Sequence, residues 1–189
     1  GGNNTYAGTT SVSAGVLQIG NGGTTGSFGA GAVTNNASII FNLGAGADQL
    51  ISNAISGTGS IAKTGVGAVT LSGANTYTGK TTISSGTVKI SSESNLGNNP
   101  AAATADQLSL SGGGTLQTTA SFTIDDTNRG IFLGTGGGVI NTNSGTTLTM
   151  ANSITGADSL TKSGAGTLSF TTAQSYTGRT IVDQATLTS

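Results

Sequence analysis

The stretch that decides the fold is Lys63-Thr-Gly-Val-Gly-Ala-Val-Thr-Leu-Ser-Gly-Ala-Asn-Thr-Tyr-Thr-Gly-Lys-Thr-Thr-Ile83. It returns downstream as Lys162-Ser-Gly-Ala-Gly-Thr-Leu-Ser-Phe-Thr-Thr-Ala-Gln-Ser-Tyr-Thr-Gly-Arg-Thr-Ile181, with the same 14-residue step from Lys to Tyr. A truncated third copy, Asn4-Thr-Tyr-Ala-Gly-Thr-Thr10, lies near the start of the sequence. The approach to the motif recurs as well: Ile55-Ser-Gly-Thr-Gly-Ser-Ile-Ala-Lys63 parallels Ile154-Thr-Gly-Ala-Asp-Ser-Leu-Thr-Lys162. Tyr6, Tyr77 and Tyr176 are 71 and 99 residues apart, so the two spacings differ by 28 while the flanks keep register. A globular core does not absorb such a difference. A solenoid does, because each repeat touches only its neighbours and a whole coil can be added. With roughly two dozen residues per coil, the two intervals hold about three and four coils and the chain about eight. At about 4.8 Å between stacked strands, the rod is about 40 Å long.

Local pattern agrees. Runs such as Val69-Thr-Leu-Ser72, Thr87-Val-Lys-Ile90, Ser121-Phe-Thr-Ile124 and Thr146-Thr-Leu-Thr-Met150 alternate apolar with hydroxyl residues. Period two in β-branched residues predicts short strands. Gly and Asn clusters such as Gly20-Asn-Gly-Gly23 and Gly112-Gly-Gly114 separate them and predict tight turns. No segment carries helical periodicity over a helix length. The exception to the strand rhythm is 92–106, with Asn95-Leu-Gly-Asn-Asn-Pro100 and Ala101-Ala-Ala103; it predicts an irregular protruding loop with a helical turn.

Composition narrows function. Gly, Ser, Thr and Asn make 105 of 189 residues, and only 7% of the chain is charged, against about 25% in ordinary domains. There is no Cys and no His, which removes disulfides, thiol or imidazole catalysis and zinc sites built on them. Six cations and a net charge of −1 argue against nucleic acid as a partner, since a run of phosphates would go unneutralised. No run of 18 apolar residues offers a membrane span, so this segment is not expected to insert. Leu, Ile, Val and Phe are too few for one thick core but enough for a thin column inside a coil.

The motif Gly-x-Gly-x-Val/Leu-Thr-Leu-Ser-Gly-x-Asn-Thr-Tyr-Thr-Gly-x-Thr-Thr-Ile, fullest from Gly65 onward, resembles the autotransporter-associated β-strand repeat. That family comprises passenger regions of type V secreted proteins of Gram-negative bacteria. The resemblance implies a right-handed parallel β-helix, an extracellular or cell-surface location reached across the outer membrane, and a fragment of a longer repeat protein. Residues 1–189 then form a single β-helix segment. The repeat-motif residues it singles out are structural: Gly65, Gly67, Leu71, Asn75, Tyr77 and Gly79, and in the later copy Gly164, Gly166, Leu168, Tyr176 and Gly178. That later copy departs from the pattern at Phe170–Ser175, which stands where Leu71–Thr76 would be.

Candidate chemistry is sparse. The acids are Asp48, Glu93, Asp106, Asp125, Asp126, Asp158 and Asp183, and only Asp125-Asp126, with Arg129 nearby, cluster in sequence. Neighbours on a strand face opposite ways, so this pair reads as a solvated turn with a local ion pair rather than as glycosidase carboxylates. Leu43-Gly-Ala-Gly-Ala-Asp-Gln-Leu-Ile51 matches most of a nonapeptide calcium repeat, but in one copy, so a turn before a strand is the expectation. Lys63 and Lys162, and Lys80 and Arg179, occupy repeat-equivalent positions and read as solvated residues beside turns. The three tyrosines read as packed against the coil with hydroxyls at the surface. The expected function is a non-enzymatic surface rod, an adhesive passenger stalk, with no catalytic, metal or cofactor site. Its expected partners are another copy of itself or a glycan or protein of a host or cell surface. A β-helical carbohydrate-active enzyme and a filament subunit are the alternatives.

Overall fold

A computed structural model describes residues 1–183 and 185–189. Among the described residues there are 21 short strands and one 3-10 turn, and every strand pairing is parallel. The chain winds as a β-solenoid of about eight coils with three faces.

The first face stacks Val16–Ile19, Ser38–Phe41, Ser60–Lys63, Thr81–Ile83, Thr104–Leu110, Arg129–Leu133 and Ile154–Gly156. The second stacks Asp48–Ile51, Ala68–Leu71, Thr87–Ile90, Gly114–Thr118, Gly138–Thr142, Leu160–Ser163 and Thr180–Val182. The third is made of two sheets. Thr10–Val12, Val33–Asn35 and Ile55–Ser56 form one; Phe122–Ile124, Thr147–Met150, Thr167–Phe170 and Thr186–Thr188 form the other. Between these two sheets the third face is filled by the Tyr77 segment and by the 3-10 turn Glu93–Leu96.

Alternation does the sorting. In Ala68–Leu71 the burial runs half-buried, buried, half-buried, buried, and the same pattern holds for Thr87–Ile90, Thr147–Met150 and Thr167–Phe170. Because parallel register is kept from coil to coil, inward residues stack into columns. One runs Ile19, Phe41, Lys63, Ile83, Leu110, Leu133 along the first face. Another runs Val69, Val88, Leu116, Ile140, Lys162 along the second. Most of these aliphatic side chains are fully buried, so few large apolar residues suffice.

Close stacking accounts for the corner glycines. A Cβ at Gly67 would overlap the Gly44 carbonyl oxygen of the coil beneath, and one at Gly166 would overlap that of Asn143. Gly65, Gly79, Gly164 and Gly178 meet the backbone of the preceding coil in the same way. Within 92–106, the 3-10 turn spans Glu93–Leu96, Asn95 and Leu96 are buried, and strand structure resumes at Thr104.

The repeat copies do not sit one above another. The strand after Tyr6 (Thr10–Val12) lies on the third face, that after Tyr77 (Thr81–Ile83) on the first, and that after Tyr176 (Thr180–Val182) on the second. Each copy is therefore advanced by one face. The intervals are three coils plus one face and four coils plus one face. They differ by one coil, as the sequence predicts, but neither is a whole number of coils.

Candidate functional site

The motif builds the same corner wherever it falls. Tyr6, Tyr77 and Tyr176 each share a hydrogen bond between the phenol and a threonine hydroxyl four residues on, Thr10, Thr81 and Thr180. Asn75 is buried; its Oδ1 accepts from the Ile55 amide at 2.9 Å and its Nδ2 donates to the Asn95 carbonyl at 2.8 Å. Gln174 stands at the equivalent place in the later copy. Its Oε1 accepts from the Ile154 amide at 2.8 Å, so the sequence departure at Phe170–Ser175 keeps the bond through a longer amide. Asn53 and Asn152 are likewise equivalent, each donating Nδ2 to two carbonyls of the coil below. Leu71 and Leu168 are buried inside.

Two expectations are corrected here. Lys63 and Lys162 are not solvated: both side chains are fully buried, at 0% exposure. Each is the inward residue just before a glycine corner, and its ammonium donates to corner carbonyls, Gly65 for Lys63, Ser163 and Gly164 for Lys162. A corner that turns this tightly points unpaired carbonyls inward, and a buried donor satisfies them. Desolvation lowers both ammonium pKa values, that of Lys63 to about 8. The Tyr77 hydroxyl is also interior rather than at the surface, and burial pushes it up to about 12. Lys80 is exposed as expected and pairs with Asp106 across coils at 2.6 Å.

The acids also fall differently. Arg129 does not pair with Asp125 or Asp126. It is buried, and its guanidinium holds the 93–99 segment: Nε to Glu93 at 2.9 Å, Nη1 to the Leu96 carbonyl at 3.1 Å, and Nη2 to Gly97, Asn98 and the Asn99 side chain. Asp126 caps its own turn, accepting from the Asn128 amide at 2.7 Å and the Arg129 amide at 3.1 Å. Glu93 neighbours Asp125, whose amide it accepts; burial raises its pKa, and Arg129 opposes that rise. Asp48 reaches Lys89 across two coils at 2.5 Å, and the Gly44–Ala47 turn closes ahead of its strand. Sequence reasoning missed this Arg129 shelf, although an arginine facing a long irregular insertion in a charge-poor chain was the available signal.

The shelf opens a polar groove of about 540 Å³ lined by Asn75, Glu93, Ser94, Gly97, Asn98 and Asn99. Above it, the third face presents two outward columns. Register aligns Thr123, Thr149, Ser169 and Thr188 in one, and Thr147, Thr167 and Thr186 in the other, with Ser121 preceding Thr147. This part of the rod surface is thus a neutral hydroxyl lattice at strand spacing, stiffened by β-branched side chains.

The corners recur along one parallel solenoid. The passenger-associated-transport-repeat family model matches residues 1–19, 61–90 and 160–188, the three copies identified above. Those three stretches are therefore similar to the repeats of autotransporter passengers. Over 120 residues, 64% of this chain, it is 40% identical to a protein of Brucella suis biovar 1 (strain 1330) described as Adhesin BmaC autotransporter. The chain spans about 3% of the length of that relative. No solved structure matches it significantly.

Proposed function

We propose that this chain is an adhesin-like, non-enzymatic passenger rod displayed outside the cell after export across the outer membrane, where it mediates attachment or self-association. The observation that carries the reading is the coincidence of three passenger repeats with three equivalent corners on one continuous solenoid. Likeness to an adhesin-named autotransporter supports the adhesive part. The motif residues Gly65, Gly67, Leu71, Asn75, Tyr77 and Gly79, with Gly164, Gly166, Leu168, Tyr176 and Gly178, serve as corner and core elements of that rod. Steric contact, burial and the Tyr–Thr hydrogen bonds support this role. A scaffold role also accords with the acids: Asp48, Asp106 and Glu93 are each engaged by a cation of another coil. Low charge reduces repulsion between rods, and an outward hydroxyl lattice offers many weak bonds rather than one reacting centre.

The test is gain of attachment. The full chain is fused to a carrier outer-membrane barrel and displayed on a non-adherent Gram-negative host. Cells bound to epithelial monolayers, and settling cell aggregates, are counted against cells displaying the carrier alone. A several-fold rise in either count is expected. Equal counts in both assays at equal surface display would contradict the reading.

A further inference from the structure

We propose that the groove on the Arg129 shelf is a binding site for a neutral saccharide. The inference rests on the attachment reading above and assigns that attachment a ligand class and a place.

The groove exists because the strand rhythm is broken. Between Thr87–Ile90 and Thr104–Leu110 the third face carries no strand but the 3-10 turn and the chain that follows it. A solvated loop of that length would be mobile. Here it is fixed from beneath by five guanidinium hydrogen bonds. It is further held by Asn98 N donating to the Tyr77 carbonyl at 3.0 Å and by Asn128 Nδ2 donating to the Pro100 carbonyl at 2.9 Å. A buried arginine spent on holding a polar loop in one shape suits a surface whose shape is used.

The groups left over define the ligand. Asn99 gives its Oδ1 to Arg129, which leaves its amide N–H groups as oriented donors. The Asn98 side chain is exposed and, among the described residues, makes no hydrogen bond. Ser94 adds a hydroxyl, and Glu93 adds carboxylate lone pairs beyond those taken by Arg129 and the Asp125 amide. Donors and acceptors thus converge on a cleft of a size usual for small ligands. Charge selects against ions of either sign. An anion would face the Glu93 carboxylate, with Asp125 beside it, while a cation would find that carboxylate already paired with the buried Arg129. No large apolar side chain lines the cleft, so a hydrophobic ligand gains little. A neutral, hydroxyl-rich molecule satisfies all of these conditions. Without an aromatic platform the binding is weak at each site and gains strength by avidity across many displayed copies.

The experiment uses the isotope-labelled 189-residue chain in amide-resolved NMR. The probes are lactose, N,N′-diacetylchitobiose and maltotriose, with sodium phosphate and calcium chloride as charged controls. At least one saccharide should shift the amides of residues 93–99 with a Kd of about 1 mM, equivalent to about −4 kcal/mol. Asn98→Ala and Asn99→Ala should each weaken that binding at least about tenfold while leaving the spectrum of the other coils unchanged. Any of the following overturns the proposal: no shift at 93–99 with any saccharide at about 10 mM, tenfold above that Kd; shifts confined to the hydroxyl columns; or shelf shifts produced by phosphate or calcium instead. Attachment retained by the Asn99→Ala variant on displayed cells would overturn the shelf as ligand site while leaving the attachment reading intact. Saccharide binding by a chain that confers no attachment would do the reverse.

Discussion

The segment 53–90 and the segment 152–188 are close copies in sequence and unlike in setting. Both place a buried lysine before a glycine corner, a Tyr–Thr hydrogen bond after it and an amide bond to the isoleucine below. Yet Tyr77 is fully buried whereas Tyr176 is half-buried, and the later copy lies one face further round. The difference shows what the motif encodes. It specifies a corner, a strand and a corner, with bonds that reach one coil down. It does not specify a face. Burial of the tyrosine comes from what lies above it, and above Tyr77 lies the shelf held by Arg129. Glycine spacing and alternating burial are therefore local properties, whereas the shelf is a tertiary one.

The comparison can be broken most forcefully at Arg129. Arg129→Ala removes the ion pair to Glu93 and leaves loop carbonyls unsatisfied, and should cost about 3–5 kcal/mol, the range for breaking a buried pair. Denaturant unfolding would report the loss. Hydrogen exchange should show 92–99 and Tyr77 opening while 152–188 stays protected. Protection at 92–99 equal to that of the parent chain would sink this division of labour. Gly67→Ala and Gly166→Ala probe what the copies share. Each forces a Cβ against the backbone of the coil beneath, and each should destabilise by about 1–3 kcal/mol, as overpacking does. A cost at one site and none at the other would mean that the corners are not equivalent.

Smaller effects sharpen the contrast. Tyr77→Phe leaves the buried Thr81 hydroxyl without its partner and should cost about 1–2 kcal/mol; Tyr176→Phe, in a wetter place, should cost less than half as much. Two inward hydroxyls, those of Thr118 and Thr142, have no partner among the described residues and are adjacent in register. Thr142→Val should therefore stabilise, by up to about 1 kcal/mol, and a clear loss of stability would show that the hydroxyl is satisfied in solution.

Acidity adds a test of the buried lysine. Lys63 has a folded pKa of about 8 against an ordinary 10.5, so between those values the unfolded chain binds more protons and stability rises with pH. Tyr77, raised from 10.0 to about 12, acts oppositely: above pH 10 the unfolded chain loses its phenolic proton first, and stability falls. The melting temperature should therefore climb from pH 8 and turn over near pH 10. Lys162, lowered for the same reason, adds to the climb; Lys63→Met should flatten it in part, and an unchanged climb in that variant would assign it to Lys162 or another group.

Much of this was legible in the sequence. The repeated Lys-to-Tyr step and period-two runs specified a coiled parallel sheet, because corner glycines and inward aliphatics obey nearest-neighbour rules. The polarity of Lys63 and Lys162 misled, since a lysine beside a turn is usually solvated; only the inward-pointing corner carbonyls explain its burial. The pairing of Arg129 with Glu93 spans 36 residues and depends on how an insertion folds across coils, which no local pattern records. The one-face advance was hidden for a related reason: residue spacing counts coils only if every coil has the same length.

That advance is the most direct point of attack. The chain has no cysteine, so paired substitutions report neighbours without interference. On the second face Val139 and Thr161 are in-register partners on adjacent coils, within the reach of a disulfide, whose Cα atoms stand about 4.4–6.8 Å apart. Val139→Cys with Thr161→Cys should cross-link on mild oxidation and retain the parent melting temperature. If the copies were stacked at whole coils, the strand Leu160–Ser163 would lie on the first face and Thr161 would adjoin Phe132 instead. A cross-link in the Phe132→Cys/Thr161→Cys pair, and none in the first, would contradict the fold described here.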